Sequence, residues 1–142
     1  MTERKASMVS WPRWLVAGVV VLAALPLPAC SGYGQARPVD APRAREALKT
    51  ALEHWKKGED ARSLESSSTP MVAQDFEWVQ GAKLIDYQVV DDGKEEGANL
   101  RVQVKLTLAN PGKDKGKPVE KKASYVVGTS PSLTVFRDIM RR

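Results

Sequence analysis

The sequence predicts an α+β fold, with an N-terminal amphipathic helix packed on a curved antiparallel sheet of about four strands. Two patterns predict this class. After residue 40, apolar residues first recur at helical spacing and later alternate with polar residues. One helix laid across one face of such a sheet buries the apolar side of both elements. The chain has 142 residues, which is a one-domain length.

The helix is predicted over residues 41–57. Asp40 is a suitable N-cap, Pro42 would lie in the first turn, and Gly58 would follow the last turn. The apolar stripe of the helix consists of Ala44, Leu48, Ala51, Leu52 and Trp55. A second, shorter helical turn is predicted over residues 60–64, ended by a loop rich in serine and threonine.

The first extended segments are predicted after residue 70, where the pattern changes to period two. Phe76 and Trp78 alternate with polar residues, which indicates extended chain. A strand over residues 84–90 would place one set of apolar side chains on one face, namely Ile85, Tyr87 and Val89. The Asp91-Asp92-Gly93 segment that follows has the residue types of a turn.

The clearest strand is predicted over residues 100–108. Its apolar residues alternate with Arg101, Gln103, Lys105 and Thr107, as in an antiparallel strand with one solvated face. Two further strands are predicted over residues 119–127 and 133–136. The first of them would align Ala123, Tyr125 and Val127 on one face.

The N-terminal 29 residues have the pattern of a secretory signal peptide. Basic residues precede a segment, 14–29, that contains no charge. Sixteen residues would make a helix of about 24 Å, short of a hydrocarbon core of about 30 Å. Pro26 and Pro28 would interrupt that helix. A cleaved leader is therefore expected, and an uncleaved signal-anchor is the alternative.

The lone cysteine stands at the end of this segment, in Leu27-Pro28-Ala29-Cys30. These residues resemble the lipobox of bacterial lipoproteins, although proline two residues before the cysteine departs from the commoner small residues. The resemblance implies that Cys30 is the lipidation site, diacylated on its sulfur, and the first residue of the mature protein. An ordinary signal peptide with an incidental cysteine is the competing interpretation.

The resulting organisation is a signal peptide over 1–29, a lipidated cysteine with a flexible tether over 30–39, and a helix-plus-sheet domain over 40–142. The tether contains two glycines and a proline and lacks apolar periodicity. The anchor implies an extracytoplasmic place in the cell envelope. Ser31 after the cysteine leaves the choice between inner and outer membrane open.

The order of elements in residues 40–138 carries a second resemblance. An Ala-x-x-x-Leu-x-x-x-Leu-x-x-Trp helix, Gly58, the stretch from Asp75 to Leu84 and three long strands look like nuclear transport factor 2-like and cystatin-like domains. The resemblance implies a helix on a curved sheet. It implies no particular activity, because such domains perform many functions.

Candidate chemical groups are few. His54 is the only histidine, and no carboxylates have the spacing of a metal loop, so no metal or other cofactor is expected. A basic cluster in the later loop could contact anionic lipid or could simply be solvated: Lys113, Lys115, Lys117, Lys121 and Lys122. The formal charge is +5 for the whole chain and +3 for residues 30–142, which is too little by itself to indicate nucleic acid. Four aromatic residues could line a ligand pocket or fill the core: Trp55, Phe76, Trp78 and Tyr87.

Two functions remain for the folded domain, beside the alternative of a signal-anchored membrane protein with an uncleaved leader. The first is a lipid-anchored, non-enzymatic domain that binds an envelope protein or a small ligand, or helps to assemble an envelope complex. The second is a small enzyme that uses a carboxylate, Asp75 or Asp86, as a base in the concave side of the sheet. A filled concave side would argue against the enzyme, and a buried carboxylate at an open pocket would argue for it.

Overall fold

The computed structural model describes residues 37–109 and 116–140. The predicted leader, Cys30, most of the tether, Lys113 and Lys115 lie outside these ranges. The described part has α+β architecture and contains a 3-10 helix, Ala61–Ser66, between its first helix and first strand. The remaining elements are α1 (Ala41–Lys56), β1 (Met71–Gln74), α2 (Phe76–Val79), β2 (Lys83–Val89), β3 (Lys94–Glu96), β4 (Asn99–Ala109), β5 (Val119–Gly128) and β6 (Leu133–Asp138).

Helix α1 has the predicted start and apolar face and ends one residue before the predicted end. The Asp40 carboxylate accepts a hydrogen bond of 3.1 Å from the backbone N–H of Arg43, which satisfies one free donor of the first turn. Every residue of the predicted stripe is buried. The helix lies against β2, β5 and β6, and Val39 just before it is also buried. None of the helices in the described ranges is long and apolar enough to cross a membrane.

The sheet has six strands in the described residues, so the prediction of about four strands is wrong. Their order is β1-β6-β5-β4-β2, and β3 pairs with the early part of β4. The prediction of a purely antiparallel sheet is also wrong, because β1 pairs with β6 in parallel, with Met71 opposite Leu133. The sheet is therefore mixed. Strand β1 has only four residues, and its partner lies about sixty residues later, so no local pattern revealed the pair.

The predicted strands β4 and β5 are confirmed. The apolar face of β4 is almost completely buried: Leu100, Val102, Val104, Leu106 and Leu108. Ala123, Tyr125 and Val127 of β5 share that face, since each pairs with a buried residue of β4. This face meets α1, and the opposite face carries most of the polar residues of both strands, with Lys121 and Tyr125 on the α1 side. Strand β6 begins at Leu133 as predicted and continues two residues further.

The extended segment predicted around Phe76 and Trp78 is wrong, because these residues form the single turn of α2. Asp75 begins this helix: one carboxylate oxygen accepts hydrogen bonds from the backbone N–H groups of Glu77 and Trp78. Over four residues, spacing alone does not distinguish a strand from a helical turn. The aspartate N-cap decides between them here.

The predicted facing of β2 is also wrong. Leu84 is buried and Ile85 is exposed, the reverse of the expectation. The pairing with β4 shifts register between Leu84 and Asp86, so Ile85 is the extra residue of a β-bulge. After the bulge Tyr87 faces the core, as predicted, whereas Val89 remains exposed near the strand end.

Gly93 and Gly97 provide a matched test of how closely the turn before β3 packs against the β4 side chains. Both have positive φ, +85° and +62°. A Cβ on Gly93 would lie 2.9 Å from side-chain atoms of Leu100 and Val102, whereas a Cβ on Gly97 would meet nothing within 4 Å. We expect Gly97→Ala to lower the free energy of unfolding by about 1–2 kcal/mol, the cost of the left-handed conformation. Gly93→Ala should lower it by about 1–3 kcal/mol more, because the core is overpacked. Urea unfolding followed by tryptophan fluorescence measures both; equal losses would contradict the packing argument.

Candidate functional site

The main concentration of buried charge surrounds Asp75, at the end of β1. We refer to Asp75, Glu77, Lys121, Tyr125 and Arg137 as the Asp75 cluster. Tyr125 on β5 and Arg137 on β6 are direct cross-strand partners, so their side chains project to the same face of the sheet. That face is the one covered by α1. The cluster therefore joins the β1–α2 junction to the last two strands.

The Asp75 carboxylate is surrounded by hydrogen-bond donors. One oxygen accepts from the backbone N–H groups of Glu77 at 2.8 Å and Trp78 at 3.4 Å. The other accepts from the Tyr125 hydroxyl at 2.7 Å and the Arg137 guanidinium at 3.0 Å. An ionised carboxylate has about four acceptor positions, so these donors occupy all of them. Asp75 is 2% exposed, which makes its pair with Arg137 a buried one.

The neighbours of Asp75 are held in defined charge states. Burial raises the pKa of the Tyr125 phenol well above its ordinary value, and the negative charge of Asp75 raises it further. Tyr125 therefore remains a protonated donor. The Arg137 guanidinium also lies 4.9 Å from the centre of the Phe76 ring, a favourable cation–π distance. Glu77, itself buried, pairs with the Lys121 ammonium group.

The space beside the Asp75 cluster is filled by aromatic side chains. Trp55 stacks on Trp78 with ring centres 5.3 Å apart, and both border a cavity of about 10 Å³ next to Asp75 and Tyr125. That volume holds about one water molecule. Each indole N–H is used: Trp55 donates to the Ala82 carbonyl at 2.8 Å, and Trp78 donates to the Glu59 carbonyl at 3.0 Å. Two of the four aromatics considered as pocket lining thus pack together as core.

A second cavity lies between α1 and the β1–β6 edge of the sheet. Its volume is about 110 Å³. Its polar lining comes from Arg43, Glu46, Thr50 and Thr69, and Met71 and Leu133 form its apolar side. Neither predicted base lines it.

The second predicted base, Asp86, has a different environment. It is exposed on β2, and its carboxylate lies 2.9 Å from the Lys56 ammonium group. The hydrogen bond from Lys56 lowers the pKa of the Asp86 carboxyl below its ordinary value, and the backbone N–H of Tyr87 contributes in the same direction. A lowered pKa makes a carboxylate a weaker proton acceptor at neutral pH.

His54 lies in a small polar group that the sequence interpretation missed. Its Nε2 is 2.6 Å from the Ser63 hydroxyl, and its Nδ1 is 2.7 Å from the Glu59 carboxylate. Serine, histidine and carboxylate stand here in the order of a nucleophile, a base and an orienting group. The Ser63 hydroxyl, however, also donates to the Asp60 carbonyl at 2.6 Å.

That carbonyl determines what the His54 group can do. A hydroxyl has one proton, so a bond to Asp60 directs it away from the imidazole. The Ser63 hydroxyl is therefore not oriented to give its proton to His54, as a nucleophile would. The spacing His54, Glu59, Ser63 across the turn after α1 was the available signal. This spacing alone does not predict the contact, because it is the 3-10 helix that brings Ser63 next to His54.

The polar side chains of these groups are therefore bonded mainly to one another. Lys121 of the predicted basic cluster contacts Glu77, and no group of three or more histidines, cysteines or carboxylates could hold a metal within residues 37–109 and 116–140. The sequence matches no protein-family model, and no curated protein or solved structure matches the chain.

Proposed function

We propose that the chain is a bacterial lipoprotein, anchored by lipid on Cys30, whose extracytoplasmic domain is a non-enzymatic binding or assembly module of the cell envelope. The observation that carries the proposal is the Leu27-Pro28-Ala29-Cys30 sequence at the end of an uncharged segment. Acyl chains contribute about 0.8 kcal/mol per buried methylene, so two or three of them hold a protein stably on a bilayer.

The non-enzymatic part of the proposal is supported by the state of the two candidate bases. All acceptor positions of Asp75 are occupied, and Asp86 is paired with Lys56 on the surface. The cavity beside Asp75 has room for about one water molecule. The helix-facing side of the sheet is filled by large side chains, chiefly Trp55, Leu48 and Tyr125. A substrate would need a side chain to move before it could reach Asp75.

The binding or assembly role is supported by the opposite face of the sheet. This face presents half-buried polar side chains, including Arg101, Gln103 and Thr134, beside the exposed Phe136. Val72 on β1 extends the apolar part, at 41% exposure. The resemblance to nuclear transport factor 2-like and cystatin-like domains stays part of the proposal, and it rests on a helix packed on a curled sheet.

The anchor is tested on the protein expressed in a bacterial host with an alkyne-bearing fatty acid in the medium. The natural chain should incorporate the label, and its intact mass should correspond to a chain that begins at an acylated Cys30. Cys30→Ser should remove the label, because the thiol is the point of attachment. The neighbouring change Ser31→Ala should leave the label and the mass of the lipid unchanged.

Three results would contradict the proposal. A mass equal to unmodified residues 1–142 would indicate an uncleaved signal-anchor. A chain cut elsewhere, without lipid, would indicate an ordinary signal peptide. Label retained in Cys30→Ser would place the lipid on another residue.

A further inference from the structure

We propose that the exposed side of α1 lies against anionic lipid head groups of the membrane that holds the anchor. This inference rests on the lipid anchor at Cys30. The basic residues of residues 37–57 are here called the α1 basic face: Arg37, Arg43, Arg45, Lys49, Lys56 and Lys57. The occupant is an anionic phospholipid surface, which the charge of this face complements.

The first observation is a charge asymmetry along the domain. Residues 37–57 contain six basic and three acidic residues. Residues 58–142 contain thirteen basic and thirteen acidic residues. The first segment therefore has a net charge of +3, and the rest of the domain has none. An anionic surface attracts the first segment more strongly than the rest, which favours one orientation of the domain.

The second observation is that acidic side chains of residues 37–57 are bonded within the protein. The Asp40 carboxylate caps α1, and the Glu53 carboxylate accepts a hydrogen bond of 2.7 Å from Tyr87 on the sheet. Both are thereby engaged within the protein, and so is the Lys56 ammonium group, which pairs with Asp86. Arg43 and Lys49 project from exposed positions of the helix. Glu46 is the remaining acidic residue of this segment, and it lines the second cavity beside Arg43.

The third observation is the short distance along the chain from the anchor to the helix. Cys30 and Asp40 are ten positions apart, so the two lie at most about 35 Å apart even when the chain is fully extended. A tether of this length and composition is expected to span about 18 Å on average. It is therefore short enough to keep α1 near the bilayer and lets it come within one Debye length of the head groups, about 8 Å at physiological salt. At that distance the charge asymmetry can decide which side faces the bilayer.

The test follows the position of a fluorophore on the full-length acylated protein. Thr50→Cys places a thiol on the exposed side of α1, and Gln88→Cys places one on the sheet face opposite α1. Both changes are neutral in charge. Acylation blocks Cys30, the only native cysteine, so each variant has one free thiol to label. The proteins are reconstituted into phosphatidylcholine vesicles, with or without about 30 mol% phosphatidylglycerol, that contain a lipid with a head-group nitroxide quencher.

Quenching of the Thr50 label should rise by about twofold or more when phosphatidylglycerol is present, and the rise should vanish near 0.5 M salt because the attraction is screened. The Gln88 label should not respond. The double variant Arg43→Glu/Lys49→Glu should lose the rise. Arg62→Glu/Lys83→Glu, which changes the same charge at other exposed positions, should keep it. Circular dichroism confirms that all variants are folded.

Other outcomes would overturn the inference. If the protein is acylated but quenching of the Thr50 label does not change with phosphatidylglycerol, the anchor stands and the proposed orientation is wrong. Equal losses in the two charge variants would mean that total charge, rather than the α1 basic face, is responsible. A response seen only in native membranes would indicate an acidic protein surface instead. A mass without acyl chains would refute the anchor itself and this inference with it.

Discussion

Asp75→Asn is expected to lower the free energy of unfolding by about 3–5 kcal/mol, because it leaves the buried Arg137 guanidinium without its negative partner. Asparagine has nearly the same shape and is also a good N-cap, so the start of α2 should survive. The loss therefore reports the charge and not the helix cap. The Tyr125 hydroxyl would also exchange a carboxylate acceptor for a weaker, neutral one.

Urea unfolding monitored by tryptophan fluorescence measures this loss. Asp86→Asn is the matched control, since it removes the same charge from an exposed ion pair with Lys56. It should leave the unfolding midpoint unchanged within error. Similar midpoints for the Asp75 and Asp86 variants would show that the Asp75 cluster does not stabilise the fold as the buried geometry implies.

A double-mutant cycle with Tyr125→Phe resolves the Asp75 cluster further. In the natural chain, Tyr125→Phe removes a donor to Asp75 and should be destabilising by about 1–3 kcal/mol. In the Asp75→Asn background the same change should cost less, because the charge-assisted bond is already gone. Additive losses would mean that the two side chains stabilise the protein independently.

Trp55→Ala is the second change with a large expected effect, a loss of about 3–5 kcal/mol. Trp55 is 2% exposed at the centre of the contact between α1 and the sheet. Its removal leaves a void beside Trp78 and deletes the hydrogen bond to the Ala82 carbonyl. Typical domains have a free energy of unfolding of about 5–15 kcal/mol, so this single change removes a large part of it.

Trp55→Phe removes the hydrogen bond and keeps one of the two fused rings. The buried Ala82 carbonyl loses its donor, at a cost of about 1–3 kcal/mol, and the missing pyrrole ring adds a packing cost. Trp78→Phe is the control, because the Glu59 carbonyl it would release is exposed and can bind water. Far-UV circular dichroism during urea unfolding avoids reliance on tryptophan emission. A Trp78→Phe loss as large as that of Trp55→Phe would contradict the assignment of Trp55 as the buried anchor.

Much of the helix and of the long strands was predictable because their determinants are local. Asp40, Pro42 and the spacing from Ala44 to Trp55 define α1 within a window of about seventeen residues. The alternation in β4 and β5 likewise needs only neighbouring residues, since one face is buried and one is solvated. The functional proposal rests on the same kind of information: the residues before Cys30 form a local motif that is read in the chain itself.

The Asp75 cluster could not be predicted in this way, because its members come from distant parts of the chain. Asp75 meets Tyr125 fifty positions later and Arg137 sixty-two positions later. Those contacts exist only because β1 pairs in parallel with β6, and no local pattern encodes that pairing. The alternative function predicted from the sequence has Asp75 or Asp86 as a base in the concave side of the sheet. In the fold, hydrogen-bond donors surround Asp75.

By itself, then, the sequence determined the class of fold, the start and buried face of α1, and the buried faces of β4 and β5, because each depends on residues close together in the chain. The anchor at Cys30 is a prediction that rests on the same kind of local pattern. Only the tertiary structure decided the two additional strands, the bulge at Ile85, the helical turn at Phe76 and the partners of Asp75. These depend on which distant surfaces can pack together and which buried charges can be paired. These features therefore depend on contacts between distant segments and not on any one segment.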